Sequence, residues 1–329
     1  MKKEIMFLIA CIGITGTLLG EAPAAKFEYP CHQMKEAPVI DGKIDAAWDA
    51  VPWQGGFLIF PSGNGYATEK PTSFKAGWTK DSLCLLVKCL DGKPGTLKSK
   101  GSEATLWNED GMELFFAPGG GRACRQLIVN VAGLRWNGVN GTADALWDWE
   151  AKAEVTADGW VVEVRVPFRV LERTPEAGER WRVNVARNAL AGTGSERLTC
   201  WPPLMASFHD IQNFGVFVFS GPADSAVARE EQELNAGYRQ FLSARINEIA
   251  NGLIEGRKVV ESGQKFEGLK PELARLAEAW SEMDGIMADK YPPLEKMSGF
   301  VMNHGDLKKT TKDIQYRVLT EELLSRNGK

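Results

Sequence analysis

Gly159-Trp160-Val161-Val162-Glu163-Val164-Arg165-Val166-Pro167-Phe168 is the stretch that decides the fold class of this 329-residue chain. Successive side chains on a strand point to opposite faces, so Trp160, Val162, Val164 and Val166 fall on one face, while Glu163 and Arg165 share the other. Asp158-Gly159 immediately before it is a hairpin signal. Residues 149–156 and 160–166 are therefore predicted to be adjacent antiparallel strands. Working outward, short strand-like runs occupy residues 38–42, 55–60, 72–78, 83–90, 112–116, 126–131, 181–188 and 214–219, separated by Gly, Pro, Asn and Asp. Residues 44–48 read as a short helical turn with Asp45 as its N-cap. Such strand density without intervening amphipathic helices predicts an antiparallel β-sandwich over residues 26–222.

After Pro222 the period changes from two to three and four. Leu234, Tyr238, Phe241, Ile246, Ile249 and Leu253 form one stripe. Leu269, Leu273, Leu276, Trp280, Met283 and Met287 form a second that starts at Pro271, and Leu307, Ile314, Val318 and Leu323 form a weaker third. Residues 223–329 are thus expected to form three helices, packed as a hairpin or small bundle or laid against the sandwich.

Composition excludes some functions. A formal charge of -4 with scattered Lys and Arg gives no basic stripe, so nucleic acid is not an expected partner. Eleven Trp against five Tyr is unusual, and it suggests indoles placed for a purpose. Residues 1–25 read as an export signal: Lys2 and Lys3, an apolar run from Ile5 to Leu19, then Ala22-Pro23-Ala24-Ala25, with the mature chain starting near Lys26. A rival reading takes Leu8-Ile9-Ala10-Cys11 as a lipobox, which leaves a lipid-modified Cys11 at the membrane. Either way the chain is expected to be secreted or periplasmic, and no later segment reaches the ~20 apolar residues of a membrane span. Cys31, Cys84, Cys89, Cys124 and Cys200 show no metal or redox spacing. Cys84 and Cys89 fall on opposite faces of one strand and are not expected to pair. Buried free thiols are the simpler reading of the set, although an oxidising compartment permits disulfides.

The stretch richest in chemistry is Leu106-Trp107-Asn108-Glu109-Asp110-Gly111-Met112-Glu113-Leu114-Phe115-Phe116-Ala117-Pro118. It turns at Gly111 into a strand in which Met112, Leu114 and Phe116 face the core. Glu113 is the oddity, because a carboxylate in an apolar strand is costly to bury without a partner.

Pro38-Val39-Ile40-Asp41-Gly42-Lys43-Ile44-Asp45-Ala46-Ala47-Trp48, Trp107 to Phe115, Gly159 to Phe168 and Trp181-Arg182-Val183-Asn184-Val185-Ala186-Arg187-Asn188 resemble, in order, the signature segments of family 9 carbohydrate-binding modules. Trp201-Pro202-Pro203, followed by Phe208 and by Phe214-Gly215-Val216-Phe217, resembles that family's end, and the likeness spans about residues 30–221. What it implies is a jelly-roll-like β-sandwich that grips an oligo- or polysaccharide between aromatic side chains, often with calcium bound away from the sugar. By that resemblance Trp107 is one stacking platform, Glu113 a hydroxyl acceptor, Asn130 an amide contact and Trp201 the opposing platform. The chemistry is reasonable, since an indole covers the apolar face of a pyranose while carboxylates and amides take the hydroxyls. The chain departs from the family pattern at Ile128, where a basic residue often stands two before the asparagine.

Plainer readings stand beside these. Trp48, Trp160 and Trp181 fit core positions, and Trp107 and Trp201 could also be packing residues. Glu113 could bond Arg125 or a backbone amide. Asn108, Glu109 and Asp110 are either turn residues or oxygen donors for calcium. A glycosidase needs two carboxylates across one sugar bond, and Glu109, Asp110 and Glu113 share a single hairpin, so a non-catalytic module is expected, with no organic cofactor. Two other readings remain: a related sandwich holding haem b through His209 with Met205 or Met112, and a scaffold whose C-terminal helices dock a protein partner.

Overall fold

A computed structural model describes residues 27–99, 103–189, 197–223, 227–263 and 266–327. The export signal and Cys11 lie outside the described residues. Among the described residues the strands are β1 (Glu28–Gln33), β2 (Leu58–Ile59), β3 (Thr72–Trp78), β4 (Ser82–Leu90), β5 (Gly111–Ala117), β6 (Arg125–Asn130), β7 (Arg135–Val139), β8 (Thr142–Ala143), β9 (Glu150–Thr156), β10 (Gly159–Pro167), β11 (Arg180–Asn188), β12 (Leu198–Cys200) and β13 (Gly215–Ser220). The hairpin at Asp158-Gly159 forms and makes the two runs adjacent as predicted, in a register that sets Gly159 opposite Thr156 and Val162 opposite Ala153.

The strands join into one ladder in the order β8-β7-β6-β5-β11-β13-β1-β3-β4-β10-β9, with β12 paired to β11 and β2 to β12. This sheet curls so that its inner face encloses the main core, giving the sandwich that the strand pattern predicts in the jelly-roll-like form that the family likeness implies. Its pairing is antiparallel except at β1, which lies parallel to both β13 and β3. The long connection from Met34 to Pro71 makes the parallel crossover from β1 to β3 possible, where a tight hairpin could not.

Period-two burial fills the interior. Trp160, Val162, Val164 and Val166 from β10 meet Met112, Leu114 and Phe116 from β5 and Trp181, Val183 and Val185 from β11 in one apolar cluster. Trp48 is also buried, but on the outer face, in a separate cluster with Met34, Val51, Cys84, Leu86 and Val161. Asp45 caps the short 3-10 turn Ala46–Ala50 by accepting from Ala47 N. The buried Glu163 carboxylate ties that segment down by accepting from Trp48 Nε1 at 2.8 Å, Gly42 N at 2.8 Å and Asp41 N at 3.1 Å. Among the described residues the five cysteines are free and buried. Burial pushes the Cys84 thiol up to about 12 and the Cys89 thiol up to about 11.

The helices are α1 (Phe168–Leu171), α2 (Val227–Leu234), α3 (Ala236–Gly263), α4 (Lys270–Met287), α5 (Leu294–His304) and α6 (Leu307–Asn327). Among the described residues the C-terminal region therefore has five α-helices where the spacing predicts three. One added break falls at Asn235, which divides the first predicted stripe into α2 and α3. The other added helix, α5, begins after Pro292-Pro293 and buries Leu294, Met297, Phe300 and Val301, a stripe too short to stand out in the sequence. These helices share a core of their own, to which Tyr238, Leu242, Ile249, Leu276, Phe300 and Ile314 contribute.

The helical region lies against the sandwich through polar contacts that converge on Asn235. The fully buried Asn235 accepts from Gly55 N at 2.8 Å and donates to Trp53 O at 2.7 Å and to Glu231 O. Glu231 accepts from Trp53 N, His32 pairs with Glu230 at 2.7 Å, and Tyr66 packs on Tyr238 and Phe241. Replacing Asn235 by Ala strands a buried donor and acceptor on the sandwich. The expected loss is about 2 kcal/mol in urea unfolding. Arg229→Ala on the exposed face of α2 should change stability by less than about 0.5 kcal/mol.

Candidate functional site

Strand alternation in β5 sends Met112, Leu114 and Phe116 inward and leaves Glu113 and Phe115 on the outer face. Glu113 sits opposite Ile128 on β6 and Ala186 on β11, so Gln126 and Asn188 are its diagonal neighbours on the same face. Both use that position. Gln126 Nε2 donates to Glu113 Oε2 at 2.7 Å, and Asn188 Nδ2 donates to Glu113 Oε1 at 2.6 Å and to Trp107 O at 3.0 Å. Gln126 spends its amide nitrogen on Glu113, so its Oε1 accepts from His209 Nε2 at 3.0 Å. That fixes the proton on Nε2, and the ring stands edge-on to Phe115 at 5.0 Å. Desolvation lowers the His209 pKa and favours the neutral ring.

Glu113 is 5% exposed. Burial pushes its carboxyl up from the ordinary value of 4.5, and the Asn188 and Gln126 amides pull the other way. In place of the partners considered for it, Arg125 or a backbone amide, Glu113 has two side-chain amides.

Trp107 closes the 3-10 turn Glu103–Asn108 and is 44% exposed. Its ring meets that of Trp136 at 6.1 Å and 80°, so the two indoles form a corner. Trp136 lies on β7 opposite Ile128, which places Glu113, Ile128 and Trp136 in one row across three strands. Ile128 is buried between the carboxylate and the indole, so the departure from the family's basic residue leaves an apolar floor there. A cavity of about 450 Å³ opens over this row, lined by Trp107, Trp136, Glu113, Gln126, Phe208 and His209 among others. That volume suits a small ligand held by aromatic surface and a few directed polar groups.

Two residues expected in this site stand elsewhere. Asn130 is fully buried, with both amide hydrogens given to Glu109 Oε2 and Ser99 Oγ, and its oxygen taken by Ala132 N and Leu134 N. An amide engaged at four points has nothing left for a ligand, so Asn130 braces the turn after β6. Trp201 is 1% exposed and packs edge-on to Phe74 at 5.2 Å and Phe27 at 6.1 Å inside the main core. The second indole beside Trp107 is Trp136 instead. The sequence reading missed Trp136 because β7 is short and carries Asn137 and Gly138. It missed Gln126, Asn188 and the link to His209 because diagonal pairing requires a known register.

The calcium candidates separate in the same way. Asn108 is exposed, whereas Glu109 and Asp110 are fully buried. Glu109 Oε2 is held by Asn130 and Asp110 Oδ2 accepts from Lys98 N, while Glu109 Oε1 and Asp110 Oδ1 are buried without a hydrogen-bond partner. Two unpartnered carboxylate oxygens are the hard donors calcium prefers, so this pair fits a partial ligand set and Asn108 does not join it. Among the described residues no three His, Cys, Asp or Glu side chains converge on a metal position. A haem pair is also disfavoured. Met112 lies in the core on the inner face of β5, Met205 is exposed, and His209 Nε2 is engaged with Gln126 on the outer face. Among the described residues Glu113 is the one carboxylate lining the cavity, and glycoside cleavage requires a facing pair.

Fold and site together define a ligand-binding β-sandwich module with a C-terminal helical region. The family profile described as "Carbohydrate family 9 binding domain-like" matches residues 40–221, and the chain belongs to that family. Among solved structures, a family 9 carbohydrate-binding module from Caldicellulosiruptor kristjanssonii in complex with cellotriose is similar at 23% identity and a TM-score of 0.47, covering 61% of this chain and 97% of that one. A family 9 module from the same organism in complex with glucose gives 23% identity and 0.47, covering 60% and 98%. A comparison with curated proteins found no match. Among the described residues no helix is long and apolar enough to cross a membrane.

The two tryptophans should respond differently to truncation. Trp201→Ala empties a closed part of the core and is expected to cost about 3–5 kcal/mol in chemical denaturation. Trp107→Ala, at a half-exposed position, should cost less than about 1 kcal/mol.

Proposed function

We propose that this protein is an exported, non-catalytic carbohydrate-binding module. The half-exposed indole of Trp107 set beside the buried carboxylate of Glu113 in one cavity is the observation that carries this reading. The apolar face of a sugar ring would lie on Trp107, and Trp136 would close the corner. The ring's hydroxyls would then be directed at Glu113, whose two oxygens are already oriented by Gln126 and Asn188. A carboxylate held by neighbouring amides before the ligand arrives needs little reorganisation to accept a hydroxyl hydrogen. The bound glucose and cellotriose in the two similar modules support a glycan as the ligand class. Export rests on residues 1–25, and it is read from the mass of the mature chain, expected to begin near Lys26.

Calcium belongs to this proposal in a structural role. Glu109 Oε1 and Asp110 Oδ1 would supply two of its oxygens, with backbone carbonyls and water completing the set. A bound ion there would neutralise two buried acids at the turn that leads into β5.

Two measurements test these readings. On affinity gels carrying soluble polysaccharide, Trp107→Ala should lose retention while its circular dichroism is unchanged; retention equal to wild type would remove Trp107 from the site. In thermal unfolding, calcium in excess over EDTA should raise the melting point of the wild type by several degrees, as ligand linkage of about 2–3 kcal/mol gives at saturation. A melting point insensitive to calcium would remove the ion.

A further inference from the structure

The buried acids of the sandwich are neutralised to different degrees. Asp91 is buried against two cations, Lys70 and Arg187. Glu163 has no cation, but it is sealed by three N–H donors from Trp48, Gly42 and Asp41. Glu113 has only two neutral amide donors and stands at the wall of an open cavity. No Lys or Arg is among the residues lining that cavity, and its one histidine is held towards the neutral form. Among the described residues Glu113 is thus the one acidic or basic side chain lining the cavity besides that histidine, so the local charge favours a positive ligand group. The cavity's two indoles add to this, because the face of an indole is itself attractive to cations.

A ligand hydroxyl satisfies Glu113 as a hydrogen-bond donor and leaves the charge in place. A protonated amine at the same position satisfies both. The usual objection is the cost of stripping water from an ammonium. Here Trp107 is 44% exposed and the cavity is open on that side, so an amine on a ring stacked there keeps part of its hydration. A uronic acid or sulfated sugar would bring a second negative charge against Glu113, with no guanidinium or ammonium among the lining residues to receive it.

We infer that the site selects amino sugars: a glycan of hexosamine units is bound in preference to its hydroxyl counterpart, with the ammonium set against Glu113 beside the Trp107 and Trp136 corner, and anionic glycans are rejected. This deepens the carbohydrate-binding reading and rests on it. Burial raises the Glu113 carboxyl above its ordinary value against the pull of the two amides, and a positive charge beside it would act in the same direction as those amides.

Calorimetric titration of the full chain tests this with three ligands of equal length in near-neutral buffer: a β-1,4-linked glucosamine tetramer, cellotetraose, and a galacturonic acid tetramer. The hydroxyl bond to the Glu113 carboxylate is already charge-assisted and the ammonium adds only an ion pair at a partly open site, so the glucosamine tetramer should bind roughly fivefold tighter than cellotetraose. That advantage should shrink as salt rises, since the site is open enough for screening. The galacturonic acid tetramer should not bind. In Glu113→Gln both remaining affinities should fall and their ratio approach one. Equal binding of the glucosamine and cellulose tetramers would overturn the amine assignment alone, as would a preference that survives Glu113→Gln or binding of the acidic tetramer. Failure of all three to bind would overturn the carbohydrate reading and this inference with it.

Discussion

A carboxylate on the outer face of a central strand, away from bulk water, sets the terms for everything around it. Glu113 on β5 can be buried only if the strands on either side deliver donors to it, and the register of β6 and β11 places Gln126 and Asn188 at the two diagonal positions from which an amide reaches. Each donor then brings in another element. Asn188 also holds the Trp107 carbonyl, which fixes the turn that presents the indole, and Gln126 orders the loop that carries His209. The proposed binding surface is thus a consequence of satisfying one acid, and its geometry comes from the sheet beneath.

That sheet is rigid there because β5 is interior. It has β6 on one side and β11 on the other, and its inner face is wholly apolar. Parallel insertion of β1 between β13 and β3 makes the ladder continuous, so the halves that carry the site and the helix-docking surface share one core. Asn235 performs at the helix boundary what Asn188 performs at the site: a single buried amide satisfies polar groups from two elements, backbone groups at Asn235 and a carboxylate with a carbonyl at Asn188. Both depend on complete pairing of amide donors and acceptors in places where water cannot substitute.

Where periodicity was strong, the sequence alone was sufficient. Trp160 to Val166 and Met112 to Phe116 alternate as strands do, and both lie in the core as the pattern requires. Trp107 and Glu113, six residues apart and carried by a family likeness, are brought together in one cavity. Legibility ended where the answer depended on which strands are neighbours. Asn130 and Gln126 are both amides on β6, and nothing local distinguishes the one consumed by a turn from the one that orients Glu113. The family likeness made Trp201 an opposing platform, with core packing as the plainer reading, and it packs inside. Trp136 was overlooked on a five-residue strand rich in Asn and Gly. Asn235 likewise reads as an ordinary helix residue until Gly55 and Trp53 are seen against it.

The five buried thiols bear on how the chain would fare in an oxidising compartment, where the proposed export would place it. Disulfide exchange needs the thiolate, and solvent access to it. With Cys84 pushed up to about 12 and Cys89 to about 11, and all five side chains enclosed, the folded protein offers oxidants almost no nucleophile. Its integrity rests on apolar packing and amide pairing, with no covalent crosslink among the described residues. Thiol oxidation at these five positions therefore becomes a hazard of the unfolded chain, while the exposed Met205 and Met287 are oxidisable sulfurs of the native one.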